Sequence, residues 1–110
     1  MREITGDEMK ALEAKYPPPD YELVHVALRM GDIVLRNPTA AEYGAFQAMR
    51  LEQSTKKTAF PNLLTMCCVF PERAELVVAL ARWPGLPSNP KIVNALQYIA
   101  GEADALEGKG

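Results

Sequence analysis

The sequence predicts an α+β fold that is mainly helical, with an N-terminal β-hairpin followed by a bundle of about four helices. The hydrophobic pattern alternates with a period of two before Pro38 and repeats every three to four residues after it. A Gly31-Asp32 pair stands between two short aliphatic runs, which is typical of a hairpin turn. With 110 residues, 48% of them hydrophobic and 24% charged, the chain has the balance of one globular domain.

The first part of the chain predicts a helix followed by an extended arm. Thr5 and Glu8 have the spacing of a capping box, which predicts a helix from about Gly6 to Lys15. Prolines 17–19 end it and favour an extended segment. We therefore divide the chain into an N-terminal helix and Pro-rich arm (residues 1–20), a single α+β domain (residues 21–101) and a flexible tail (residues 102–110). The first helix either packs on the core or faces a partner.

The hairpin is predicted over residues 21–29 and 33–36, where Val, Ile and Leu dominate. Two strands alone are marginally stable, so the hairpin must lie on helices or pair with another chain. Its unpaired edges would also favour association.

Four further helices are predicted after Pro38. A second capping box, Thr39 and Glu42, begins a helix that runs to about Gln53. The others cover residues 62–69, the segment after Pro71, and a segment from about residue 88 to Gly101. The predicted core residues are Val26, Leu28, Val34, Phe46, Leu63, Cys67, Leu76, Leu80, Leu96 and Ile99.

The sequence offers no constellation for catalysis, so we predict that the protein is not an enzyme and binds no cofactor or metal. Cys67 and Cys68 would point about 100° apart on a helix, and His25 is the only histidine. A thiol-dependent enzyme or redox protein centred on Cys67 is kept as a further hypothesis. The net charge of −2 argues against nucleic acid, and no apolar run reaches the length of a membrane span. The absence of a disulfide framework indicates a reducing cytosol.

Aromatic residues beside prolines are the candidates for partner contacts. Phe60, Phe70 and Trp83 each precede a proline at a predicted helix junction, and Leu86 lies in the same Pro-rich junction as Trp83. These side chains either fill the corners between helices or anchor a partner, since aromatic residues are enriched at binding hot spots.

An ordered set of segments resembles the tail assembly chaperones of long-tailed bacteriophages. The segment after that family's hairpin is similar to residues 35–46, LRNPTAAEYGAF. The junction between its two central helices is similar to residues 67–76, CCVFPERAEL. Its final helical hairpin is similar to residues 83–87, WPGLP, together with residues 95–96 and 99–101. The resemblance covers roughly residues 24–101 and leaves the N-terminal arm outside.

The resemblance implies a protein that binds the tape measure protein, keeps it soluble and helps to recruit major tail tube protein subunits. It implies no catalytic residues, and a location in the host cell cytoplasm rather than in the mature virion. The hairpin edge would also allow a weak homo-oligomer. The alternative is a small cytosolic protein–protein adaptor or regulatory module of a cellular protein.

Overall fold

The structure is a computed structural model that describes residues 1–106. This part of the chain contains five α-helices and three strands. In chain order they are α1 (Gly6–Lys15), β1 (Leu23–Leu28), β2 (Gly31–Arg36), α2 (Ala40–Leu51), α3 (Ala59–Cys67), β3 (Cys68–Phe70), α4 (Arg73–Arg82) and α5 (Pro90–Ile99). The strands form one antiparallel sheet in the order β1-β2-β3. The turn between β1 and β2 falls at residues 29–30, because Gly31 and Asp32 belong to β2.

The prediction of an N-terminal hairpin followed by a bundle of about four helices is wrong. The hairpin comes after a helix, and a third strand lies between α3 and α4. Helices α3 and α5 pack on the sheet and α2 packs on α3, while α4 packs mainly against β3. The sheet, rather than a bundle axis, therefore organises the helices.

The third strand replaces the end of a predicted helix for two physical reasons. Pro71 disfavours helical geometry at Phe70, and β-branched Val69 suits an extended chain. The strand also pairs with β2, where Val34 lies opposite Phe70 and Leu35 opposite Cys68. The edge of β2 that we expected to be open is thus occupied within the same chain.

The main core lies between the sheet and helices α2, α3 and α5. Most of the predicted core residues are buried: Val26, Val34, Phe46, Leu63, Cys67, Leu76, Leu96 and Ile99. Leu28 and Leu80 are only partly buried. Leu28 is the last residue of β1 beside the turn, and Leu80 lies on α4, which packs mainly against the shortest strand.

The chain before α1 is held against the hairpin. The Asp32 amide donates to the Arg2 carbonyl (3.0 Å), and the Ile4 amide donates to Asp32 Oδ2 (2.9 Å). The backbones approach so closely that a Cβ on Gly31 would lie 2.7 Å from Arg2 N. Helix α1 itself buries no residue. The arm is therefore tethered to the fold through its first residues, whereas its helix lies outside the core.

Both predicted capping boxes are confirmed. Thr5 and Thr39 accept hydrogen bonds from the amides of Glu8 and Glu42, whose carboxylates accept from the two threonine amides. These reciprocal bonds satisfy backbone donors that a helix start leaves without intrahelical partners.

The end of the last helix is also as predicted, with Gly101 following it at φ +85°. Beyond it, Glu102 accepts hydrogen bonds from Arg50 (3.0 and 3.1 Å) and from the Tyr43 hydroxyl. The predicted flexible tail thus begins at a residue that is bound to α2. Residues 107–110 of that tail lie outside the described residues.

Candidate partner-binding groove

Two adjoining open cavities lie between the β1–β2 turn and the connection from α4 to α5. Their volumes are about 380 and 450 Å³. Arg29, Met30 and Asn89 line both cavities, so the two form one continuous depression. We call it the Trp83 groove; its other lining residues are Leu28, Arg82, Trp83, Pro84, Gly85, Leu86, Ser88, Pro90 and Lys91.

One wall of the groove is built from the α4–α5 connection. Helix α4 ends at Arg82, and the following residue, Trp83, caps it by donating its amide to the Ala79 carbonyl (2.8 Å). The Trp83 carbonyl then accepts from the Leu86 amide (3.0 Å), and the Leu86 carbonyl accepts from the Asn89 amide (3.0 Å). Leu86 is only 3% exposed and forms part of the core. Local hydrogen bonds and prolines therefore hold the Trp83 ring on a defined turn.

The other wall is the β1–β2 turn, which α5 holds in place. The Lys91 ammonium group donates to the Ala27 carbonyl of β1 (3.2 Å). Met30 packs against the core from the turn. At the start of α5, Asn89 Oδ1 accepts from the Lys91 amide (2.9 Å) and caps the helix. The two walls are thus joined by side-chain contacts as well as by packing.

The groove carries positive charge without carboxylates. Arg29, Arg82 and Lys91 are its charged lining residues. The Arg82 guanidinium lies 4.9 Å from the centre of the Trp83 ring, a cation–π contact. Within residues 1–106 no carboxylate oxygen lies within 4.0 Å of the charged nitrogens of these three side chains. Positive charge therefore remains available at the groove.

Three of the four arginines outside the groove show a contrasting arrangement. Arg2, Arg36 and Arg50 each form an ion pair, with Glu8, Glu42 and Glu102 respectively. Arg36 is the least exposed of these, and it joins three elements by donating to Glu42 and to the Met66 carbonyl. The ion pairs of these three arginines hold parts of the fold together. Within residues 1–106, the groove cations form no such ion pairs.

The structure brings two of the four predicted partner-binding residues together. Trp83 and Leu86 line the same cavity, with Leu86 below the surface. Phe60 instead packs edge-on against Phe46, with ring centres 5.1 Å apart. Phe70 lies in β3, where the Arg2 guanidinium is 5.1 Å from its ring centre. Phe60 and Phe70 therefore have contacts within the chain, and neither lines the Trp83 groove.

Sequence reasoning missed the groove's cations. None of the three belongs to a motif in the sequence. Arg29 precedes Arg82 and Lys91 by more than fifty residues, and only the packing of α5 on β1 brings Lys91 to the turn. The local sequence around each residue contains no signal of that proximity.

The two thiols and the single histidine have separate surroundings in the fold. Burial raises the pKa of the Cys67 thiol and of the Cys68 thiol to about 12. Thiols with such pKa values contain little of the nucleophilic thiolate at neutral pH. His25 Nε2 lies 3.1 Å from Asp32 Oδ2 on the neighbouring strand. Residues 1–106 contain no cluster of three or more His, Cys, Asp or Glu side chains placed to hold a metal ion.

Helix α4 also carries exposed apolar side chains. Val78 is 68% exposed and Val77 is 57% exposed. Val78 precedes Arg82 by one helical turn, so the two share a face of the helix. Val78 thus places an exposed apolar side chain on the same helix face as a cation that lines the groove.

Comparison of the chain with protein-family models, with curated proteins and with solved structures finds no match. Within residues 1–106, none of the helices combines the length and the apolar character needed to cross a membrane.

Proposed function

We propose that this protein is a tail assembly chaperone of long-tailed bacteriophages, which binds the tape measure protein and keeps it soluble. The observation that carries the proposal is the ordered resemblance to that family of three segments, which are residues 35–46, residues 67–76, and residues 83–87 together with 95–96 and 99–101. The third of these segments begins at Trp83, which lines the groove. The resemblance and the Trp83 groove thus coincide at this part of the chain.

The groove supports a function by contact. Its walls combine an aromatic ring, aliphatic side chains and cations. Amphipathic helices bind to apolar grooves through side chains spaced three and four residues apart. A long helical protein would offer many such segments, and covering them would keep it from aggregating.

In this proposal the major tail tube protein is recruited at an edge of the sheet. Strand β2 is paired on both sides, which leaves β1 as the long edge strand. Tube subunits, or a second copy of the chain in a weak homo-oligomer, would add a strand there. The protein would act in the host cell cytoplasm during assembly and be absent from the mature virion.

The test is co-expression with the long helical protein encoded beside this chain. We expect the soluble fraction of the long protein to rise, and a complex of the two to survive gel filtration. Trp83→Ala should weaken the complex, whereas the matched control Lys57→Ala, at an exposed position outside the groove, should not. Equal solubility of the long protein with and without this chain, and no complex, would reject the proposal.

A further inference from the structure

We propose that the Trp83 groove binds an acidic amphipathic helix, with its apolar face on Trp83 and Met30 and its carboxylates toward Arg29, Arg82 and Lys91. This assignment rests on the proposed function, because it specifies the kind of tape measure segment that is bound and places it in the Trp83 groove. It adds the charge of that segment, which the resemblance does not give.

Charge complementarity identifies the occupant as acidic. The chain as a whole has a net charge of −2, yet the charged side chains that line the groove are all cations. An acidic segment is thus attracted to this surface although the whole chain carries excess negative charge. Such attraction between exposed charges is screened by salt.

The occupant is a helix rather than an added strand. Strand addition needs free backbone groups on the edge strand, and the Lys91 side chain already donates to the Ala27 carbonyl of β1 beside the groove. A helix satisfies its backbone hydrogen bonds internally, so it needs only side-chain contacts. The exposed Val78, one turn before Arg82, adds an apolar side chain on the same helix face as that groove cation.

The position of Trp83 provides a direct measurement, because it is the only tryptophan in the chain. The probes are two synthetic 21-residue helices without tryptophan, which share a leucine face and carry either glutamates or lysines on the polar face. We expect the Glu helix to shift the emission of Trp83 and the Lys helix to leave it unchanged. Raising NaCl from 50 to 500 mM should weaken binding of the Glu helix at least tenfold.

Charge-reversal variants test the assigned cations. The double variant Arg29→Glu and Lys91→Glu leaves the contact between Arg82 and Trp83 in place, and should weaken binding of the Glu helix at least tenfold. Arg73→Glu is the matched control, since it reverses an exposed cation on α4 about 13 Å from Arg82 along the helix. The affinity of Arg73→Glu for the Glu helix should stay within twofold of that of the unchanged protein. Circular dichroism should show that all variants are folded.

Three results would overturn the inference. They are equal binding of the Glu and Lys helices, undiminished binding by the double variant, and displacement of the Glu helix by an equimolar single-stranded oligonucleotide. The assay needs no phage protein, so it fails separately from the proposed function. Binding of the Glu helix without rescue of the long helical protein would reject the chaperone function and support the groove assignment. Rescue of the long helical protein, without any change in Trp83 emission on addition of the Glu helix, would support the chaperone function and reject the groove assignment.

Discussion

Replacing Glu42 with glutamine should destabilise the fold at neutral pH, because it removes one partner of a half-buried ion pair. The Arg36 guanidinium donates to both Glu42 oxygens, at 2.8 and 2.9 Å. The same arginine donates to the Met66 carbonyl at 3.1 Å, so it ties the end of β2 to α2 and α3. Glutamine at this position can still serve the capping box with Thr39. The substitution therefore isolates the charge.

The magnitude follows from the pKa of Glu42, which the hydrogen bonds from Arg36 lower from 4.5 to about 2. A difference of that size corresponds to about 3 kcal/mol at neutral pH. The Glu42 side chain is 25% exposed and that of Arg36 15%, so solvent screening reduces the expected loss to about 1–2 kcal/mol. Because the pKa is lowered on folding, this contribution is complete above pH 4.5. It is lost as the pH falls toward 2.

Urea denaturation at pH 7, 4 and 3 is the assay. The free energy of unfolding of Glu42→Gln should lie below that of the unchanged protein at pH 7, and the difference between the two should fall to about half at pH 3. Glu8→Gln is the matched control, since Glu8 occupies the same place in a capping box and pairs with Arg2. That pair is more exposed and belongs to a helix that buries no residue, so its loss should cost less. An undiminished difference at pH 3, or none at pH 7, would refute the reasoning.

Three substitutions and one chemical labelling experiment test the packing. Gly31→Ala should destabilise by about 1–3 kcal/mol in urea denaturation, because φ is +138° and the new Cβ would meet N-terminal backbone; an unchanged midpoint would contradict the close approach. Leu96→Ala should lower the free energy of unfolding by about 2–5 kcal/mol and Leu80→Ala by distinctly less, because Leu96 is fully buried and Leu80 is not. The reverse order of the two losses would contradict this placement of α4. Cys67, which is fully buried, should react with a disulfide reagent at pH 8 only on unfolding, and its rapid labelling in the native protein would contradict that burial.

The starts of α1 and α2 could be predicted from the sequence because their signals are local. Thr39 and Glu42 are three residues apart, and each satisfies a backbone group of the other, so no distant contact decides the outcome. The same holds for Asn89, which caps α5. Sequence patterns of this kind report interactions within one helical turn, and those interactions persist in the folded chain.

The third strand could not be predicted because a distant contact decides it. Residues 67–69 are all apolar, and such a short apolar run is compatible with a buried helix and with a buried strand. The choice depends on β2, whose Leu35 lies opposite Cys68 although more than thirty residues separate them. Local propensity therefore gives way to pairing with an edge that would otherwise stay open.

The third strand also changes which surfaces can bind a partner. With β2 paired on both sides, its edge no longer offers the docking site that an isolated hairpin would. At the Ala27 end of β1, Lys91 already occupies a backbone acceptor. The same lysine brings positive charge to the Trp83 groove, so one side chain both hinders strand addition and favours an acidic helix there. Under the proposed function, the two partner classes are thus separated, with helical segments at the groove and added strands at the remainder of the β1 edge.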